Sequence, residues 1–263
     1  MKPETLKLLQ TPNSGEGLVF GHSNDGLFDG TLCGESGQTY HIQDGIPDFT
    51  SPQYITGKNQ RYQNLYNRLA PLYDLSTSIY ATIKCGGDRE RVMSYLRELE
   101  IKDGDRVLET SIGTGRNVQY LPASAAYYGV DISRGMLKQC QKMAYQNYLD
   151  VDLFLCPAEE LCFRDATFDV VYHVGGINYF NDRAAAVREM IRVARPGTKI
   201  IIVDETEDLA KKYENVPGAS EFYKNRKEKI SSPIDLVPPA MEEVQLKSIL
   251  NGDLYCLSFR KPA

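Results

Sequence analysis

Tryptophan is absent from the 263 residues, histidine occurs only three times, and no two of the six cysteines are separated by two residues. The cysteine spacing excludes a CxxC redox pair and a zinc knuckle. Six scattered thiols in a chain of this length predict free cysteines in a reducing cytoplasm, with no disulfide framework. Long apolar runs are missing as well. The longest, residues 168–174 and 199–203, fall far short of the roughly 20 residues a bilayer-spanning helix needs. The opening stretch MKPETLKLLQTPNSGEG has no apolar segment followed by a small-residue cleavage site, so no secretory signal is expected. Positive charge is not in excess: 30 Lys and Arg against 35 Asp and Glu leave −5, with a pI of 5.4. Nothing general would draw such a surface to nucleic acid or to an anionic membrane. The length predicts one large domain, or one with a small appendage, able to bury a core without disulfides or metal.

Three regions differ in composition. Residues 1–50 are rich in Gly, Ser, Asp and Asn, with short apolar pieces at 18–20, 27–28, 31–33 and 39–42 that read as strands between turns. Residues 51–100 look helical: Tyr62, Leu65, Tyr66, Leu69, Leu72 and Tyr73 recur at helical spacing up to a break at Pro71, and a second helix is expected over 88–99. Within the third region, 101–263, strands alternate with helices from 106 to 204. Strands are expected at 106–110, 127–131, 151–155, 168–174 and 199–203, and helices at 134–145 and 183–194. Near-continuous apolar strands separated by helices predict a parallel sheet covered on both faces. A polar stretch, 206–240, holds the run Lys224, Arg226, Lys227 and Lys229, interleaved with Glu221 and Glu228, which reads as a solvated helix face. Two strands flanking Asn251-Gly252 predict a closing antiparallel hairpin.

The chemistry gathers at the ends of the parallel strands, where open α/β sheets bind ligands. Glu109-Thr110-Ser111-Ile112-Gly113-Thr114-Gly115 leads from a strand into a glycine turn. A dinucleotide fingerprint would need glycine at 118, which is Val118, and the Glu109 carboxylate suits a cationic ammonium better than a pyrophosphate. One βα unit later Asp131 ends a second strand. It either caps the helix that follows or accepts hydrogen bonds from two ribose hydroxyls, and after the Glu109 loop the ribose reading is preferred.

These segments together resemble the class I S-adenosylmethionine-dependent methyltransferases, and among them the small-molecule group that includes the ubiquinone/menaquinone-biosynthesis C-methyltransferases. LETSIGTGRN (108–117) and YYGVDIS (127–133) are similar to the first two motifs. CPAEELCF (156–163), FDVVYHVGGINYF (168–180) and REMIRVARPGTKIIIVDE (188–205) are similar to the later ones. Residues 66–74, YNRLAPLYD, resemble the helix that closes over the cofactor. The resemblance implies an α/β Rossmann-like, doubly wound, mostly parallel seven-stranded sheet ending in an antiparallel hairpin. To this it adds a small N-terminal β segment and a helical lid.

It also implies S-adenosylmethionine as cofactor, leaving as S-adenosylhomocysteine, with site residues carried over by position. Glu109, Ser111, Gly113, Gly115 and Asn117 would shape the methionine end. Asp131 would take the ribose, and Ile132, Met136, Pro157, Ala158 and Glu159 would surround the adenine. Tyr62 and Tyr73 would reach the cofactor from the lid. Tyr66, Tyr179 and Phe180 would lie on the acceptor side. His173 would line the pocket or act as a general base, the wall role being preferred, and Asn178 is a second candidate for catalysis. Asp204 and Glu205 are expected to be structural or acceptor-side rather than catalytic bases. Two departures stand out: Ser111 replaces the first glycine of the loop, and Pro157 occupies a position often held by an Asp that contacts adenine.

More loosely, residues 32–49 resemble a small zinc-ribbon-like domain found ahead of some rRNA methyltransferases. Cys33 remains, Ser36 stands in its partner's place and the earlier pair is missing, so a metal-free relic serving as lid or docking platform is expected. The resulting expectation is a cytoplasmic methyltransferase acting on a small molecule. The alternatives are an RNA or protein methyltransferase, disfavoured for RNA by the acidic charge, an inactive cofactor-binding partner subunit, and more distantly a nicotinamide oxidoreductase.

Overall fold

The computed structural model describes residues 1–12, 14–21, 28–51, 55–67, 87–214, 223–224, 226 and 228–263. Tyr73, Pro71, His22, Leu27 and Cys85 lie outside them. The N-terminal part is a four-stranded antiparallel sheet: β1 (Leu18–Phe20), β2 (Gly30–Gly34), β3 (Thr39–Gln43) and β4 (Ile46–Pro47). A helix over residues 57–67, α1, and α2 (Asp88–Leu96) connect it to the main sheet. That sheet comprises β5 (Arg106–Thr110), β6 (Ala126–Asp131), β7 (Val151–Leu155), β8 (Val170–Val174), β9 (Lys199–Glu205), β10 (Glu242–Ile249) and β11 (Leu254–Arg260). Between its strands run α3 (Arg134–Gln146), α4 (Arg183–Val193) and α5 (Glu207–Tyr213).

The spatial order is β10-β11-β9-β8-β5-β6-β7. The five strands from β9 to β7 are parallel, and β11 and β10 add antiparallel at one side. From β5 the chain moves outward through β6 to β7, then returns to β8 and moves outward the other way. β5 and β8 therefore flank the switch point, where the loops leaving the strands diverge and open a crevice. Helix starts are set by side-chain caps: Ser133 accepts from the Met136 N–H, Asp182 from Ala185 and Thr206 from Leu209.

The N-terminal sheet does not stand apart from this core. Leu9, Leu32, Ile42 and Phe49 pack in one cluster with Phe154, Phe163 and Phe168. The Phe49 N–H donates to Leu155 O (2.8 Å), Gln10 N–H to Cys162 O (2.9 Å) and Arg164 N–H to Leu8 O (2.9 Å). The backbone groups along β7 that an outermost strand would leave open are thus partly paired by the N-terminal segment, which blunts that edge. The Pro3–Leu8 turn of 3-10 helix that leads into this pairing has no counterpart among the sequence expectations.

Three local expectations are corrected. Phe28 is 58% exposed in a bend and is not part of a strand. The strand expected from 168 begins at Val170, Phe168 making only an isolated bridge to Ala194. The basic run is no solvated helix: helical backbone is confined to 223–224 among its described residues. Arg226 is partly buried, gripping Glu207 (2.8 Å) and Glu214 (2.6 Å).

Candidate functional site

A cleft of about 910 Å³, counting the space at its mouth, opens over the carboxyl ends of β6, β5, β8 and β9. Ser111, Gly113, Asp131, Ile132 and Met136 form one end. Asp204, Glu205, Tyr179, Phe180 and Tyr223 form the other, with Val174, Gly175 and Gly176 between them. Asn59, Tyr62 and Tyr66 of α1 make the roof. β6 and β9 are three strand steps apart, so roughly 14 Å separates the two ends. A second groove of about 1010 Å³, counting open space, lies between the N-terminal sheet and residues 48–51, beside the carboxyl end of β7, where the Phe49 N–H meets Leu155 O.

At the β6 end the backbone does the holding. Ser111, Gly113 and Gly115 all have positive φ, at 61°, 57° and 77°. This left-handed turn is natural for glycine and strained for Ser111. A side chain added at Gly113 would meet no protein atom, because it would project into open space. At Gly115 it would come within 2.4 Å of Cys140 Sγ and 2.7 Å of Met143 Cε, so that glycine serves packing against α3. Asp131 accepts the Gly113 N–H (3.0 Å) on Oδ2 and the Ser133 N–H (2.8 Å) on Oδ1. An ionised carboxylate offers about four lone-pair sites, so capacity for further donors remains. Burial raises the Asp131 carboxyl to about 6, against those backbone hydrogen bonds, and it is still mainly ionised at neutral pH.

Behind the loop lies a fully enclosed network. Glu109 is 2% exposed and accepts from Tyr172 Oη (2.7 Å) and Asn117 Nδ2, while Asn117 Oδ1 accepts from Tyr95 Oη (2.8 Å). Burial pushes the Glu109 carboxyl up to about 8, despite those two donors. Neither Glu109 nor Asn117 reaches the cleft wall. They brace β5 and its loop from behind.

The roof is tied to the β6 end by side chains of α1. Gln63 Nε2 donates to Ile132 O (2.8 Å), and Asn67 Oδ1 accepts from Ser133 Oγ (2.8 Å) and Gly135 N–H (2.9 Å). Asn59 Nδ2 donates to Glu159 Oε1 (2.9 Å), which also accepts the Asn181 N–H (3.1 Å). Pro157, Ala158 and Glu159 are buried and do not line the cleft. His173 is fully buried beneath Phe180, their rings 5.4 Å apart, with Nδ1 on Thr110 Oγ1 (3.1 Å). Burial lowers its imidazole to about 4, so it is neutral and a weak base. Asn178 is engaged by Asp204 (3.1 Å) and the Ser231 N–H (3.1 Å) and does not line the cleft.

The β9 end is built differently. Asp204 accepts from Gly176 N–H (3.2 Å), Asn178 Nδ2 and the Glu205 N–H (2.8 Å). Glu205 accepts from two phenols, Tyr179 Oη and Tyr223 Oη (2.7 Å). Tyr62 stacks on Tyr179 with ring centroids 4.5 Å apart and a 30° tilt. Burial, reinforced by the Asp204 charge, lifts the Glu205 carboxyl to about 7. The sequence alone left Glu205 as one of two acids ending a strand. Its position at the end of the fifth parallel strand, after the Arg-Pro-Gly turn, was the available signal; of its partners Tyr179 lies in a recognised motif, but Tyr223 comes from a polar segment with no local pattern.

The residues at the β6 end fit S-adenosylmethionine. The open space at Gly113 admits a ligand against the backbone, Asp131 has acceptor capacity for ribose hydroxyls, and Ile132 and Met136 offer apolar faces for a base.

A family model described as a methyltransferase domain matches residues 108–202. A ubiquinone/menaquinone biosynthesis C-methyltransferase UbiE of Geobacter sulfurreducens is 30% identical over 171 residues, covering 63% of this chain and 66% of that one. A demethylmenaquinone methyltransferase of Corynebacterium urealyticum is 30% identical over 161 residues, covering 61% and 64%. The chain thus spans a little under two thirds of the length of these relatives. Among solved structures, a possible histamine N-methyltransferase of Thermotoga maritima superposes with a TM-score of 0.56 at 21% identity, covering 75% of this chain and 99% of that one. A structure titled the [4+2]-cyclase SpnF gives 0.59 at 15%, covering 78% and 96%. These two establish the fold, and their different titles show that the fold alone does not fix a reaction. With its central sheet, its strand order and its matched domain in agreement, the chain has the fold of the class I S-adenosylmethionine-dependent methyltransferases and carries a methyltransferase domain over residues 108–202.

Proposed function

We propose that this chain methylates a small molecule, with S-adenosylmethionine held at the β6 end of the cleft and the methyl acceptor at the β9 end. The observation that carries this reading is the cleft itself: one continuous space joins Asp131 and Gly113 to Glu205 and Tyr179 under the α1 roof. When bound, the sulfonium cofactor supplies an electrophilic methyl group, whose carbon bonds to the acceptor's electron pair as the carbon–sulfur pair returns to sulfur. The chain's own residues then have three tasks. Asp131 and the Ser111–Gly115 loop hold the donor. Val174, Gly175 and Gly176 leave room for approach along the line of displacement, where alignment accounts for much of the rate. Tyr62, Tyr66 and Phe180 exclude water and present ring faces to the acceptor. The names of two relatives, which place them in ubiquinone or menaquinone biosynthesis, are compatible with a ring as the acceptor.

Calorimetric titration with S-adenosylhomocysteine tests the donor assignment. Micromolar binding is expected for the wild type, weakened about 100-fold in Asp131→Ala, since two charge-assisted hydrogen bonds are lost. Wild-type protein that gives no heat with either S-adenosylmethionine or S-adenosylhomocysteine overturns the reading.

A further inference from the structure

The β9 end contains a group whose surroundings suit it to proton transfer. Glu205 lines the cleft, whereas His173 is sealed beneath Phe180 and Asn178 is turned to Asp204 and Ser231. Of the two acids there, Asp204 is committed to one side-chain amide and two backbone N–H groups, which fix it to the loop after β8. Glu205 is held by two tyrosine hydroxyls, which rotate and can give way to another donor. Burial beside this carboxylate pushes both phenols up, so Tyr179 and Tyr223 stay protonated and donate. The walls around it are aromatic: Tyr62 stacked on Tyr179, with Phe180 and Tyr66 beside them.

We propose that Glu205 is the proton acceptor of the reaction, and that the methyl acceptor is a planar hydroxylated ring whose hydroxyl hydrogen-bonds the Glu205 carboxylate. The proposal rests on the methyl-transfer reading and goes beyond it by naming the base and the acceptor class. The acceptor's O–H bond breaks with its electron pair left on oxygen, available there or at the conjugated ring carbon as nucleophile. The proton forms a new O–H bond on Glu205 and then passes to water. A neutral hydroxyl is preferred to an ammonium on two grounds. An ammonium has no electron pair to give, and it would sit beside a sulfonium of like charge.

A base with a conjugate acid near neutrality is well matched to this task. Glu205 meets that condition at about 7, and the groups that set it face it from several elements. Asp204 on its own strand raises it. Tyr179 after β8, Tyr223 and the Arg226 guanidinium lower it. Tyr62 of α1 and Tyr255 of β11 also feel its charge.

The test uses the full chain saturated with S-adenosylhomocysteine and two probes, 2-naphthol and 2-naphthylmethylammonium, titrated by fluorescence between pH 5.5 and 8.5. 2-Naphthol is expected to bind, its affinity rising by about tenfold per pH unit below a midpoint near 7, as the carboxylate that accepts its hydroxyl ionises. Glu205→Gln is expected to abolish that pH dependence while leaving S-adenosylhomocysteine binding within about twofold, each variant's fold being checked by thermal unfolding. Tyr223→Phe removes a donor to the carboxylate and is expected to move the midpoint upward, which keeps the test decisive if the glutamine variant does not fold. The proposal is overturned if 2-naphthol does not bind, if the ammonium binds more tightly, or if the midpoint survives in Glu205→Gln. Wild-type protein that fails to bind S-adenosylhomocysteine would overturn the donor assignment itself, a distinct result.

Discussion

The two ends of the cleft each hold a partly buried carboxylate, but by different means. At the β6 end Asp131 is clamped by backbone N–H groups of Gly113 and Ser133. At the β9 end Glu205 is clamped by hydroxyls of Tyr179 and Tyr223, which come from separate segments. Backbone donors at fixed offsets form a seat of fixed shape, suited to a ligand that does not vary. Side-chain donors from scattered segments can be changed one at a time without disturbing the sheet, which suits the end where acceptors differ between relatives of one fold.

The largest expected effect bears on what braces the β6 end. Glu109→Ala leaves the Tyr172 hydroxyl and the Asn117 amide without their acceptor and should cost about 3–5 kcal/mol in denaturant unfolding. Glu109→Gln should be tolerated, and it should also change the pH profile. With its carboxyl raised in the folded state to about 8, Glu109 binds more protons folded than unfolded between the ordinary carboxylate range and about 8, so stability falls as pH rises through that window. The glutamine variant loses this slope and should gain on the wild type by a few kcal/mol, on the order set by the shift, at pH 8 and above.

Gly113→Val comes next. Its Cβ would enter the ligand space with no described protein atom within 4 Å, so S-adenosylhomocysteine binding should fall about 100-fold. The melting temperature should drop only about 2–6 °C, from the strain of a positive φ. Tyr179→Phe should leave donor binding unchanged within about twofold and raise the Glu205 midpoint by about one pH unit, measured by the naphthol titration. Equal loss of donor binding in Gly113→Val and Tyr179→Phe would break the division between the ends. Ser111→Gly should have the smallest effect, a gain of about 1 kcal/mol or less in unfolding, as glycine accepts the φ of 61° that serine resists.

This contrast also decided what could be read from the chain. The strands at 106–110 and 151–155 carry their own signal, an apolar run bounded by turns, and the structure reproduces those bounds. The hairpin at Asn251-Gly252 follows from local φ preference, both residues adopting positive φ. Asp131 was visible because its partners, Gly113 and Ser133, lie at fixed motif positions. Glu205 was placed on the acceptor side or in a structural role, but its clamp was not visible, since Tyr223 comes from a polar segment without periodicity. His173 shows a finer limit. Strand-end position was legible, but which face its side chain takes was not: Tyr172 pairs with Glu109 on one face of the sheet and His173 with Thr110 on the other, and both are buried. Likewise Leu9 bridges to Phe163, far along the chain, and no local pattern announces such a partner.

The most direct measurement of the central claim is a calorimetric comparison of S-adenosylhomocysteine binding to the wild type, Asp131→Ala and Glu205→Gln at one pH. The account predicts micromolar binding by the wild type, about 100-fold weaker binding by Asp131→Ala, and binding by Glu205→Gln within about twofold of the wild type. Equal weakening in both variants, or undiminished binding in Asp131→Ala, would contradict a cleft with a donor end at β6 and an acceptor end at β9.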